Sequence, residues 1–166
     1  MKILISSDST CDLSAALREK YNIAIVPLYI EKEGRNYRDG VDIVPQDIFD
    51  YVGSGRGVCR TAAVNTEEYR ERFTAWRESY DAVIHFNISS EMSSCYQNAC
   101  AAAAECDNVY VVDSRNLSTG SGLLVLEAAE RAAAGESPEN IVQQMRETAE
   151  KVEASFVIDT LSTCRR

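Results

Sequence analysis

DAVIHFNISSEMSSCYQNACAAAAECDNVYVVDS, residues 81–114, is the stretch that decides how this chain folds. DAVIHFNIS is apolar on both sides of an extended chain, as expected of a strand in the middle of a parallel sheet. SSCYQNACAAAAEC then reads as a helix whose alanines permit close packing on that sheet, and NVYVVDS as a second buried strand. A strand, a helix and a strand at this spacing make a βαβ unit, so the two strands run parallel.

The alternation continues outwards. KILISSD is a short apolar run, and in the following DLSAALREKYN the residues Leu13, Ala16, Leu17 and Tyr21 share one helical face. Ser9 or Thr10 can cap that helix, with Asp12 near its positive end. IAIVPLYIE reads as a second strand, KEGRNYRDG as a turn into an extended return, and VPQDIFDYV as a short helix with Pro45 where a first turn tolerates it. GSGRG, residues 53–57, is a flexible connection. NTEEYRERFTAWRES is a helix capped by Asn65 or Thr66, and STGSGLLVLEAAERAAAG and SPENIVQQMRETAEKV are two more. ASFVIDT closes the pattern as a strand.

The predicted fold is therefore a three-layer α/β/α domain, with a mainly parallel sheet and helices on both faces. Ligands in such folds sit beyond the carboxyl ends of the strands. That rule gathers Asp8, Ser9 and Thr10, then Ser89 and Ser90, then Asp113 and Ser114 on one polar rim.

Composition narrows the function. With 166 residues, 45% hydrophobic and 26% charged, the chain is one domain or one lobe of something larger. A net charge of -9 argues against a nucleic-acid partner and fits solubility in the cytoplasm. The start MKILISSDST is too short and polar for a signal peptide, and no apolar run approaches the ~18 residues of a membrane span. The 6 cysteines form no CxxC pair and there is 1 histidine, so a zinc site is not expected and the thiols are read as reduced and packed.

Conventional catalytic equipment is missing. SDSTCD invites comparison with a phosphotransferase loop built on Asp8, but the second aspartate of such loops is replaced by Thr10. The structural reading has Asp8 accepting loop amides. STGSG, residues 118–122, lacks the lysine of a Walker loop, and its glycines are read as close-packing positions. His85 lies within an apolar strand, where it reads as a core residue and would point into helix packing, so a Ser-His-Asp triad on it is not expected; no GxSxG elbow is present. The remaining candidates are Thr61, just after the glycine loop, and Ser93, at the start of the alanine-rich helix. Two hydroxyls at a helix N-terminus suit a carboxylate, although Ser93 taken alone reads as a helix cap.

Five ordered segments resemble the DegV family of bacterial fatty-acid-binding proteins that serve fatty acid kinase. SSDSTCDL resembles the family's DSTxDL, and VPLYI with YRDGVDI its segment carrying a Y-x-DG turn. RTAAVNTEEY is similar to TSQPSPEEF, ISSEMSSCYQNA to ISSxLSGTYQSA, and VVDSRNLSTGSGLL to VIDSxxxSxGxG. The resemblance implies an α/β lobe that encloses a long acyl chain together with a second lobe. It implies a fatty-acid carboxylate held by Thr61 and Ser93 and a kinase partner; Asp8, Ser9, Thr10, Ser89, Ser90, Asp113 and Ser114 on the rim are then the supporting pocket, and no cofactor is expected. Ala62 departs from the motif by losing a hydroxyl, and Ser94 and Cys95 stand for the glycine and threonine of SGT. FVIDTLSTCRR resembles DTLxxLxxGGRI cut before GGRI, which implies that the second lobe, with the family's histidine and arginine, is missing. A phosphotransferase or hydrolase built on Asp8, and a truncated lobe without activity, are the alternatives.

Overall fold

The computed structural model describes residues 1–155 and 157. Its centre is a parallel sheet of β1 (Ile3–Asp8), β2 (Ala24–Val26), β6 (Ala82–Asn87) and β7 (Val109–Asp113), in the order β2-β1-β6-β7. Ile5 lies opposite Ile84, and His85 opposite Val111, so the apolar runs pair in register.

Period-two alternation sends successive strand residues to opposite faces. Ile5, Ile84, Phe86 and Val112 meet Leu124 and Val125 of α5 (Ser118–Ala133) and Ile141 and Met145 of α6 (Pro138–Ala149). Leu4, Val83 and Val111 face the other way, onto Tyr69 and Phe73 of α3 (Thr66–Arg77) and Cys95, Ala99 and Ala102 of α4 (Cys95–Ala103). The three-layer α/β/α expectation therefore holds, and every residue of β6 is buried. The alanines of α4 do what small side chains allow, letting the helix sit close on the sheet.

Several local expectations need correction. IAIVPLYIE is not one strand. Pro27 has no N–H to give to a ladder, and the chain leaves β2 there to start β3 (Tyr29–Lys32) in a different sheet. β3 pairs antiparallel with β4 (Arg35–Arg38) and with β5 (Arg60–Ala62), forming a three-stranded sheet in the order β4-β3-β5. Between β4 and β5 lies α2 (Pro45–Gly53), with Pro45 in its first turn and Asp47 accepting the Val44 amide at 2.9 Å. Helix α1 (Ala15–Lys20) is shorter than expected and Ser14 caps it, because residues 9–11 form a separate 3-10 turn. Asn65 caps α3 as expected, accepting the Glu68 amide. The closing strand expected over 154–160 falls largely outside the described residues, as does Cys164.

Gly120 and Gly122, read as close-packing positions, are buried in the first turns of α5. A Cβ on Gly122 would come to 2.6 Å from the backbone oxygen of Cys11, so the helix abuts the 3-10 turn directly. Gly122→Ala must push these backbones apart, and we expect a loss of about 1–3 kcal/mol in a urea unfolding titration. An unchanged midpoint would contradict the contact.

Candidate functional site

In a sheet ordered β2-β1-β6-β7 the crossovers from β1 and β6 run to opposite sides, so the crevice at the strand ends opens between β1 and β6. That crevice is bridged. The Asp8 carboxylate, at the end of β1, accepts the Ile88 amide at 2.6 Å and, through its other oxygen, the Thr10 hydroxyl at 2.6 Å and amide at 3.1 Å. Asn87 approaches it at 3.5 Å and donates to the Tyr69 hydroxyl at 2.9 Å. Ser9 points elsewhere, its oxygen accepting the Leu28 amide at 3.1 Å where β3 begins. Burial pushes the Asp8 carboxyl above the usual carboxylate range, against the pull of the bonds from Thr10 and Ile88. Fully buried and occupied on both oxygens, Asp8 has no face to offer a substrate, which removes the geometric basis for a nucleophile there.

The second bridge lies between β6 and β7. Asp113 accepts the Ser90 amide at 3.1 Å and the Arg115 amide at 2.9 Å through one oxygen. Ser114 donates to the Asn116 carbonyl at 2.9 Å, and the Ser89 amide bonds that same carbonyl. Ser89, Ser90, Asp113, Glu91 and Arg115 line a polar cleft of about 260 Å³. Its size and polarity suit water and not an acyl chain, because lipid and drug-sized ligands take larger, mostly apolar cavities.

Thr61 and Ser93 belong to neither bridge. Thr61 is on the edge strand β5, exposed, opposite Ile30 of β3, so it is not at a helix terminus. Ser93 is half-buried and lies outside α4, which starts at Cys95 with Ser94 in the cap position. The Ser93 oxygen accepts the Cys95 amide at 3.2 Å, which leaves the hydroxyl hydrogen available to donate. The segments carrying these hydroxyls meet where Ala63 and Val64 pack on Cys95 and Ala99, and where the Asn98 side chain donates to the Val64 carbonyl at 2.7 Å. Among the described residues no hydrogen bond joins the Thr61 and Ser93 side chains.

A family model described as "Uncharacterised protein, DegV family" matches residues 2–166. The chain belongs to the DegV family. A DegV domain-containing protein of Clostridium perfringens is 33% identical over 167 residues, covering 99% of this chain and 60% of its own. The solved structure of a fatty-acid-binding DegV family protein from Thermus thermophilus superposes with a TM-score of 0.84 at 33% identity, covering 90% of this chain and 54% of its own. A stearic-acid-binding protein from Eubacterium ventriosum follows at 0.76 and 29%, covering 85% and 51%. This DegV chain thus spans between half and two-thirds of the length of these relatives. Among its described residues no helix is long and apolar enough to cross a membrane, and no three His, Cys, Asp or Glu side chains converge as a metal site.

Sequence reading missed three residues of this DegV rim. Tyr69 reaches Asn87 from α3, Asn116 ties the β7 loop to the Val152 carbonyl at 3.1 Å, and Asn98 clasps the segment after β5 to α4. The one available signal was Asn98 itself, a poor helix former set among alanines. His85 does sit in the core as read. Its Nδ1 lies 3.0 Å from the Ser6 oxygen, and its ring packs edge-on to Tyr69 and Phe73 at 5.3 and 5.5 Å between centroids. Burial, with a smaller contribution from Arg72, pushes its pKa down to about 3.

As this is the chain's 1 histidine, its carbon-bound ring signals can be followed alone. We expect them to stay flat from pH 8 to pH 4.5 in the folded protein; an inflection near pH 6.5 would contradict the burial. The unfolded chain takes up that proton below about pH 6.5 while the folded chain refuses it. The contribution to stability is therefore complete above pH 6.5 and falls by about 2 kcal/mol on acidification to pH 5. Asp8 acts in the opposite sense, because its raised pKa lets the folded state keep a proton that the unfolded state releases.

Proposed function

We propose that this chain is a non-enzymatic carrier that holds the carboxylate of a long-chain fatty acid through Thr61 and Ser93 and presents it to a fatty acid kinase in the cytoplasm. The observation that carries this reading is the pairing of two free hydroxyl donors with exposed apolar side chains beside them. Met92, next to Ser93, is 57% exposed, and Val58, three residues before Thr61, is 48% exposed. Apolar groups are left in water beside polar donors where a ligand with an acidic head and a hydrocarbon tail would cover both. The relatives described as binding fatty acid and stearic acid support the same ligand class.

The energetics divide the work. Burying about fifteen methylenes contributes roughly 12 kcal/mol, against an association cost on the order of 4–15 kcal/mol. Two hydrogen bonds to a charged head add about 3–6 kcal/mol before desolvation. Affinity then comes from the tail and orientation from the hydroxyls. Uncharged donors also leave the carboxylate without a competing cation, which suits an acid that must attack a phosphoryl donor. We assign the wall around the acyl tail to the second lobe that the resemblance implies.

Titration of the complete gene product with octadecanoic acid and with octadecanol tests this. Thr61→Val and Ser93→Ala should each weaken the acid about tenfold to a hundredfold and leave the alcohol nearly unchanged. Equal losses for both ligands, or none for either, would contradict the assignment.

A further inference from the structure

We propose that Asn98 is a positioning residue which sets the gap between the Thr61 and Ser93 hydroxyls, and through that gap the preference for a carboxylate. The inference rests on the carboxylate-binding reading above and names a residue that reading does not contain. Thr61 is held on one side by its pairing with Ile30 in β3. On the other side, the nearest hydrogen bond to α4 is the one from Asn98 to the carbonyl of Val64, in the segment that follows β5. Among the described residues it is the one hydrogen bond between residues 58–65 and residues 88–103.

The lever is short. Thr61 lies three residues from Val64, about 10 Å of extended chain, and Ser93 lies just outside the first turn of the helix that carries Asn98. Val64 is completely buried against Cys95 and Ala99, so packing keeps the two segments together. Apolar packing is non-directional and by itself leaves the register of polar groups unspecified. A 2.7 Å bond between an amide and a carbonyl does not, because its strength falls steeply with distance and angle. A carboxylate bridged by two hydroxyls needs both oxygens near 2.7 Å from their donors. An alcohol head makes no such demand. Asn98 is itself anchored, its amide donating to the Ser94 carbonyl at 3.0 Å in the first turn of α4. Where the family's motif is SGTYQSA, this chain has SSCYQNA, so the side chain that reaches Val64 stands at a serine position.

The test compares octadecanoic acid with octadecanol, delivered from cyclodextrin to the complete gene product. The unmodified protein should bind the acid more tightly than the alcohol. Asn98→Ala should lower acid affinity about fivefold, the worth of one uncharged hydrogen bond, and leave alcohol affinity unchanged. Asn98→Leu, neutral and close in volume, should show the same fall and guards against a folding defect in the smaller variant. A merely structural role would weaken both probes alike, so an unchanged acid-to-alcohol ratio in both variants overturns the proposal. An unmodified protein that does not distinguish the probes overturns the Thr61 and Ser93 reading, and the role of Asn98 with it.

Discussion

The Asp8 carboxylate is shared between its own loop and the neighbouring strand, and the rim of the sheet depends on that sharing. By accepting Thr10 on one oxygen and Ile88 on the other, it ties the end of β1 to the end of β6 across the crevice where parallel folds usually take ligands. Among the described residues no cation pairs with Asp8, so the hydrogen bonds from Thr10 and Ile88 are what oppose its desolvation. One consequence is rigidity at the point where the serine-rich loop leaves the sheet. Another is that hydrogen bonds bridge the usual crevice, and the proposed ligand is met further out.

The second sheet supplies that outer surface. β3, β4 and β5 are short, with β3 half-buried and β4 and β5 largely exposed, and they hang on the core through Leu28, Val64 and Tyr29, whose hydroxyl donates to Glu68 at 2.7 Å. Thr61 is carried there on an edge strand, while Ser93 is carried by the loop that Asp8 and Asp113 pin. The proposed head-group site would join one rigid wall to one that is only clasped. Asn98 stands at the clasp.

What could be read from sequence follows a physical division. β1, β6 and β7 are long enough to show largely apolar runs ending in Asp8, Asn87 and Asp113, and these residues do stand together at the carboxyl end of the sheet. β5 has three residues, two of them exposed, so it carries no periodicity, and Thr61 was placed at a helix terminus for want of one. Ser93 and Ser94 are equally competent caps, and the tertiary path of the loop decides which one takes the position. Pro27 was visible, but that the chain changes sheets there depends on pairing partners far away in sequence. Asp8 was legible as a loop-amide acceptor because a carboxylate at a strand end has few other ways to be satisfied.

The central claim is that two neutral hydroxyls, one on the edge strand β5 and one in the loop after β6, hold the acidic head of a lipid. A crystal structure of the protein with octadecanoic acid tests it most directly. The account predicts carboxylate oxygens within about 3 Å of both the Thr61 and Ser93 side-chain oxygens. A carboxylate lodged in the Ser89–Asp113 cleft, or a hydrocarbon chain lying with its head remote from both residues, would contradict it.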